Sequence, residues 1–218
     1  MILETIVVGV LETNCYVLGC ERTRQAIVID PGDDPSDILE VLGRQGLSVE
    51  RLVGTHAHFD HLLAVRPLQD ATGAPFYLSS ADRPLLQTQR RTAILWIGRD
   101  PGEPPEVHGD IAPDVALAVG DLLLEVRSAP GHSPGGVILV DHESRRAFTG
   151  DTVFAGSIGR ADLPGGNLEV LLESIRSQIL TLPDDYVLLP GHGPSSTVLR
   201  ERTSNPFLTT PSPPRRRW

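Results

Sequence analysis

The stretch His56-Ala57-His58-Phe59-Asp60-His61 places three histidines and one aspartate within six residues. It follows the β-rich run 51–53, which itself comes after an amphipathic segment with apolar residues at helical spacing. Polar side chains directly after a strand, in a helix–strand–helix context, are typical of a loop at the edge of a sheet. We therefore expect this stretch to present its side chains at a sheet edge.

The same placement recurs along the chain. Of the seven histidines, five lie in loops with Gly, Pro or Asp that directly follow predicted strands: His56, His58, His61, His132 and His192. The later loops read Ala129-Pro130-Gly131-His132-Ser133-Pro134-Gly135-Gly136, Phe148-Thr149-Gly150-Asp151-Thr152 and Leu189-Pro190-Gly191-His192-Gly193. Loops at strand ends present functional groups, whereas core histidines tend to fall within helices and strands. Each later loop thus offers one ligand.

Together these side chains predict a metal centre. Alternate residues of an extended backbone project to the same side, so His56 and His58 can hold one metal ion while Asp60 and His61 turn toward a second. Imidazole and carboxylate ligands suit zinc, iron or manganese, and a structural zinc site would more often use cysteines. The donor set therefore favours a catalytic centre, with the native metal left open.

Composition narrows the class of protein. A chain of 218 residues is long enough for one domain with a large core. The net charge of −9 argues against a nucleic-acid partner, and the absence of lysine excludes Schiff-base and P-loop chemistry. Only Cys15 and Cys20 occur, and no run approaches the roughly 18 apolar residues of a membrane helix. We expect a cytoplasmic protein without a membrane partner; its oligomeric state stays open.

Short β-rich runs alternate with helical segments along the chain. The first helix has Ser36 or Asp37 near its N-cap, and a later one runs from Asn167 to Leu180. Residues 90–110 start as a short helical stretch and then become irregular and rich in Gly and Pro, a candidate lid. Within it, Trp96 and Ile97 are predicted to pack rather than to cover a substrate. Residues 209–218 are predicted to form a disordered tail.

The order of the ligand motifs resembles the metallo-β-lactamase superfamily. The His-x-His-x-Asp-His stretch is followed by Gly-His, Gly-Asp and Gly-His loops, over about residues 14 to 207. The resemblance implies an α/β fold, an αββα four-layer sandwich forming a single domain at residues 1–208, with two metal ions at one edge of its β core. It also implies the ligands: His56, His58 and His132 for the first ion, Asp60, His61 and His192 for the second, and Asp151 between them.

A second loop narrows the branch. Residues 156–166, with Glu201, Asn205, Pro206 and Phe207, resemble the glyoxalase II-like hydrolases. This resemblance implies cleavage of S-acylglutathione or related thioesters. The larger enzymes of that kind hold glutathione in a C-terminal helical region, for which this chain has few residues after His192. The glutathione contacts therefore do not transfer, and the thiol carrier stays open.

The mechanism expected from the resemblance is attack of a metal-activated hydroxide on a thioester or ester carbonyl. Two cations that share a water lower its pKa toward about 7, and Zn²⁺ is the first choice of metal. Asp60 would orient the nucleophile. Asp30 is either an acceptor for a ligating imidazole or a turn residue in Asp-Pro-Gly. Arg160 and Asp162 either line the pocket or, slightly better supported, pair with each other.

Alternative functions remain at this level. A persulfide dioxygenase would use one iron held by His56, His132 and Asp151, a two-His one-carboxylate triad. A lactonase would use nearly the same carbonyl chemistry. A phosphodiesterase also suits two metal ions, although the acidity and short length of the chain count against it. A metal-dependent thioester or ester hydrolase acting on a small molecule is the leading prediction.

Overall fold

Burial along the second strand shows how the layers are arranged. The computed structural model describes residues 1–113 and 115–209. In β2 (Thr13–Gly19) every residue is buried: Cys15 and Val17 belong to one hydrophobic cluster, Tyr16 and Leu18 to another. A strand that is apolar on both faces lies inside a multilayer sandwich.

The first sheet has five strands in the order β1-β2-β3-β4-β5. Its first three strands are antiparallel, and β3, β4 and β5 run parallel. The parallel pairs require crossovers, which the helices α1 and α2 supply on the outer face. A longer helix, α3, follows β5. The bounds are β1 Ile2–Val8, β3 Gln25–Ile29, α1 Pro35–Gln45, β4 Ser48–Val53, α2 Val65–Thr72, β5 Phe76–Tyr77 and α3 Arg83–Ile97.

The second sheet has six strands in the order β13-β12-β9-β8-β7-β6, and a short hairpin, β10-β11, stands apart. The bounds are β6 Leu117–Val119, β7 Leu122–Ser128, β8 Val137–Asp141, β9 Arg146–Gly150, β10 Val153–Phe154, β11 Ser157–Ile158, β12 Val187–Pro190 and β13 Ser196–Thr197. Its outer face is covered by α4 Leu168–Ser174, which continues as a π-helical turn at Ile175–Ile179, and by α5 Val198–Ser204; α6 is Pro206–Thr209.

The two sheets pack face to face between helical layers, so the fold is an αββα sandwich. One hydrophobic cluster lies between the sheets, and one lies between each sheet and its helices. Strands β7, β9 and β12 point the same way, since β8 is antiparallel to both of its neighbours and β12 is parallel to β9. Their carboxyl ends therefore meet at one edge, where Asn14 N also donates to Gly191 O at 2.7 Å.

Several predicted boundaries are corrected. The first helix begins at Pro35 with Asp34 at its N-cap, not at Ser36 or Asp37. The Asp34 carboxylate accepts from Gly9 N instead of capping the helix, so the usual side-chain signal is absent. Residues 83–97 form one continuous helix, and the irregular chain begins only at Gly98.

Thr209 ends α6, and residues 210–218 of the predicted tail lie outside the described part of the chain. The sequence reading missed α5 and α6. None of the helices in the described residues is both long and apolar enough to cross a membrane.

Candidate metal centre

Four loops bring seven side chains to one edge of the β sandwich. The stretch 56–61 follows β4 and includes a short 3-10 turn at Phe59–His61. His132 follows β7, Asp151 follows β9, and His192 follows β12. The common direction of β7, β9 and β12 explains why residues far apart in sequence converge here.

Three imidazoles form the first group. The ligand atoms of His56, His58 and His132 lie within 4.8 Å of one another. Nδ1 of His58 is 2.8 Å from Nε2 of His132. His56 and His132 are buried, and His58 is half-buried. This spacing suits three donors around one ion.

A second group lies beside it. Asp60, His61 and His192 also place their ligand atoms within 4.8 Å of one another. Oδ2 of Asp60 is 3.3 Å from Nε2 of His192, and Nε2 of His61 is 3.3 Å from the same nitrogen. The second group thus consists of two imidazoles and one carboxylate.

Asp151 lies between the two groups. Its Oδ1 is 3.3 Å from Nε2 of His61, while its Oδ2 is 3.5 Å from Nε2 of His132 and 3.7 Å from Nε2 of His192. Gly191 is needed at this point, because a Cβ there would overlap Oδ1 of Asp151 and the His61 ring. The carboxylate therefore contacts both groups at once.

The far ring nitrogens of several imidazoles are held by acceptors. Nδ1 of His132 lies 2.7 Å from the Arg160 carbonyl oxygen, and Nδ1 of His192 lies 3.0 Å from the Leu11 carbonyl oxygen. Nδ1 of His61 lies 3.0 Å from Oδ2 of Asp30. An acceptor at Nδ1 fixes the neutral tautomer that leaves a lone pair on Nε2. The Nε2 atoms of these three histidines therefore face the cluster as acceptors.

Asp30 organises the base of the cluster. It is buried and accepts from the Thr55 backbone N–H and hydroxyl, each at 2.7 Å, as well as from His61. The Thr55 hydroxyl oxygen in turn lies 3.1 Å from Nδ1 of His56. Asp30 thus contacts one imidazole directly and a second through Thr55, which is more than the turn in Asp-Pro-Gly requires.

Asp82 is a site residue that the sequence reading missed. It is buried; its Oδ2 accepts from Ala57 N at 2.9 Å and from the Ser133 hydroxyl at 2.8 Å, and its Oδ1 accepts from Gly135 N. It therefore joins the loop of His56 and His58 to the loop of His132. In the sequence Asp82 stands two residues before Pro84 at a helix start, which indicates an ordinary N-cap, so no local signal marks this role.

For His56, His58 and Asp151 the electrostatics favour the protonation states that metal ligands need. Burial, together with the surrounding imidazoles, holds the pKa of His56 well below its usual value, and burial beside His132 lowers the pKa of His58 to about 4. Burial alone would raise the pKa of Asp151, but the adjacent histidines, first His61, outweigh it and lower that pKa. Neutral imidazoles and an ionised carboxylate are the forms that bind metal.

Two buried atoms in the cluster have no hydrogen-bond partner among the described residues: Nε2 of His56 and Oδ1 of Asp151. Oδ1 of Asp151 faces Nε2 of His61, whose other nitrogen is held by Asp30. A cation between them relieves this contact. Burial alone would lower the pKa of His61, but Asp151 and Asp30 raise it well above its usual value. The two carboxylates therefore favour a positive charge at this point of the cluster. The residues present therefore fit bound metal ions.

A cavity of about 570 Å³ opens over the cluster. One wall is the face of α3 that carries Trp96, and the other is the segment from Phe154 to Pro164. Arg160 pairs with Asp162 through two hydrogen bonds of 2.9 Å, and its guanidinium lies 5.7 Å from the Trp96 ring centroid. Arg160 thus both lines the cavity and pairs with Asp162, while Trp96 lines it instead of only packing.

Comparison with known proteins places the chain in a family. The sequence model described as "Metallo-beta-lactamase superfamily" matches residues 8–192. The chain belongs to the metallo-β-lactamase superfamily. Members of this superfamily bind metal ions, and the His/Asp cluster lies within the matched residues.

Two curated relatives of this superfamily cover nearly the whole chain. "Probable metallo-hydrolase YqgX" of Bacillus subtilis is 36% identical over 92% of this chain and 94% of its own length. "Hydroxyacylglutathione hydrolase GloC" of Haemophilus influenzae is 33% identical over 97% of this chain and 100% of its own. Among solved structures, TTHA1623 in a di-iron-bound form is 36% identical, with a TM-score of 0.87 over 94% of this chain and 100% of that one.

Proposed function

We propose that the chain is a hydrolase of thioester or ester bonds that uses two divalent metal ions. His56, His58 and His132 would hold the first ion and Asp60, His61 and His192 the second, with Asp151 between them. The observation that carries this proposal is the pair of buried, unpartnered acceptors in the cluster, Nε2 of His56 and Oδ1 of Asp151, beside an open cavity that Asp151 lines. Such atoms are costly unless a cation binds there.

When bound, the metal ions supply a nucleophile from water at neutral pH and polarise the carbonyl oxygen. Asp60 lines the cavity, and its carboxylate accepts a hydrogen bond from the attacking water and so orients it. The acceptors at Nδ1 of His61, His132 and His192 hold these three imidazole rings in position. In the net reaction water adds to the carbonyl carbon, the C–S or C–O bond breaks, and a carboxylate, a thiol or alcohol, and a proton are released.

Thioesters are the first choice among carbonyl substrates. The printed name of the GloC relative, a hydroxyacylglutathione hydrolase, supports this choice, and so does the loop 156–166. Zinc is the first metal, and the di-iron form of TTHA1623 supports iron as the alternative. The donor set contains no thiolate, which is compatible with either metal.

A substrate panel tests the proposal with protein of measured metal content. The panel holds an S-acyl thioester, a lactone, a β-lactam, a phosphodiester and glutathione persulfide. We expect the thioester or the lactone to show the largest kcat/KM and chelation to remove it. Turnover of the phosphodiester alone would contradict the proposal.

The second candidate is a mononuclear-iron persulfide dioxygenase. His56, His132 and Asp151 suffice for its two-His one-carboxylate triad, and the iron of the TTHA1623 relative supports the metal. It ranks second because it leaves Asp60, His61 and His192 without a role in the cluster. About one iron per chain, with oxygen uptake on glutathione persulfide, would replace the hydrolase proposal.

A further inference from the structure

The walls of the cavity differ in character from its floor. Of the twenty residues that line it, five belong to the metal cluster and ten of the others are apolar. The apolar residues form two facing walls above the cluster: Leu85, Leu95 and Trp96 on α3, and Phe154, Ile158 and Leu163 opposite. Its volume of about 570 Å³ falls within the usual range of roughly 300–1,000 Å³ for small-molecule sites.

The α3 wall follows from helix geometry. Leu85, Thr88, Thr92, Leu95 and Trp96 are spaced three and four residues apart or are neighbours at the end of this series, so they share one face. Leu95 is 78% exposed and Trp96 is 52% exposed, although both are large and apolar. Exposed apolar side chains that border a cavity mark a surface for an apolar ligand.

Charge argues against a dianionic ligand on these walls. Among the described residues that line the cavity, Arg160 is the one permanently cationic side chain. Its guanidinium is already engaged by both carboxylate oxygens of Asp162 and by the Trp96 ring. The glutathione part of a thioester carries two carboxylates and one ammonium group. The walls offer these carboxylates no uncommitted cation to pair with.

We propose that the two walls bind an apolar chain attached to the reacting carbonyl, so that the substrate is a medium-chain acyl thioester of an uncharged thiol rather than a glutathione conjugate. This inference rests on the proposed hydrolase function. Because burial of each methylene contributes about 0.8 kcal/mol, kcat/KM rises about fourfold for each methylene added, until the chain reaches the mouth of the cavity.

A chain-length series measures this directly. The metal-loaded protein is assayed with acetyl, butyryl, hexanoyl and octanoyl thioesters of N-acetylcysteamine and with S-lactoylglutathione. We expect octanoyl to exceed acetyl by at least about a hundredfold in kcat/KM, and S-lactoylglutathione to fall near acetyl. A flat series with S-lactoylglutathione preferred would overturn the inference and leave the hydrolase function in place.

A charge substitution on the wall gives a matched comparison. Leu95→Arg places a cation among the apolar side chains at an exposed position, so the fold is expected to tolerate it. The ratio of octanoyl to acetyl kcat/KM should fall about tenfold. Leu123→Arg is the control, because Leu123 is 62% exposed and lies away from this cavity on β7. An equal fall in both variants would contradict the assignment.

A binding measurement separates this inference from the proposed function. Calorimetry with the metal-free protein uses a non-hydrolysable S-octyl thioether and its S-methyl counterpart. Tighter binding of the octyl compound, weakened by Leu95→Arg, would support the apolar walls. If no thioester is cleaved in the same experiments, that absence of turnover contradicts the hydrolase function alone. Equal binding of both compounds would overturn the apolar-chain site whatever the turnover.

Discussion

The floor of the cavity and its walls are built in different ways. We call the seven side chains of the metal cluster the floor, and the lining residues of α3 and of 154–164 the walls. Four of the five floor imidazoles are tied to Asp30, Thr55 or backbone carbonyl oxygens, and none of the seven floor residues is freely exposed. The walls instead include Leu95 and Trp96, whose side chains are exposed.

Because of this difference, the floor and the walls are expected to respond differently to substitution. A floor atom is fixed by hydrogen bonds from more than one loop, so one substitution disturbs several partners. A wall residue contributes mainly apolar area, so its substitution changes affinity in proportion to the area lost. We therefore expect floor variants to alter chemistry and metal binding, and wall variants to alter substrate preference.

The largest effect is expected at Asp151. Asp151→Ala removes the carboxylate that contacts both groups of the floor, and turnover should fall at least about a thousandfold, because metal ions contribute several kcal/mol to such reactions. Thermal unfolding of the metal-free variant should resemble that of the parent. Asp121→Ala, an exposed aspartate paired with Arg22, serves as control and should keep full activity. Retained turnover in Asp151→Ala would break the distinction between floor and walls.

Asp82 should give the next largest effect. Asp82→Ala leaves Ala57 N–H, Gly135 N–H and the Ser133 hydroxyl without their acceptor, at a cost of about 3 kcal/mol in the free energy of unfolding. Metal affinity at the His56–His58–His132 group should fall about 10- to 100-fold. Urea unfolding and metal titration measure the two effects.

The conservative variant at this position separates positioning from stability. Asp82→Asn keeps one acceptor oxygen but places an N–H₂ group opposite at least one of the three donors, so it should recover only part of the unfolding free energy while metal affinity stays reduced. Unchanged metal affinity in both variants would show that Asp82 only stabilises the fold.

Glu201 offers a stability effect on the wall side. It is buried and accepts from Gly156 N at 2.9 Å, from Asn205 Nδ2 at 2.7 Å and from the Ser196 hydroxyl, which ties α5 to the wall segment. Glu201→Ala should lower the free energy of unfolding by about 2 kcal/mol. Metal affinity should not change, in contrast to Asp82. Loss of metal in this variant would show that the walls support the floor.

Trp96 should give the smallest effect. Since it is half-exposed, Trp96→Ala should change the free energy of unfolding by less than about 1 kcal/mol, including the loss of its contact with Arg160. KM for an apolar thioester should rise about threefold to tenfold, with kcat nearly unchanged. A fall in kcat alone would place Trp96 with the floor.

The sequence predicted the floor better than the walls for a physical reason. His56, His58, Asp60 and His61 lie in one short stretch, and the other three floor residues follow strand ends with Gly beside them, so local pattern is enough to bring them to one edge. Within residues 156–166, the sequence left Arg160 and Asp162 either lining the pocket or paired with each other, and Arg160 does both.

The walls and supporting residues depend on tertiary placement. Asp82 has the local context of a helix start, and only the fold brings it to Ala57 and Ser133. Trp96 lies near the C-terminal end of α3, and the sequence predicted that it packs within a short helix, because apolar residues of a helix usually pack. Which helical face borders a cavity is decided by contacts distant in sequence.

The number of metal ions bound per chain tests most directly whether the floor is one site for two ions. The metal content of the purified protein, and of His58→Ala and His192→Ala, is measured by mass spectrometry after equilibration with Zn²⁺ and removal of free metal. We expect about two ions per chain in the parent and about one in each variant. One ion in the parent that His192→Ala leaves in place would contradict it.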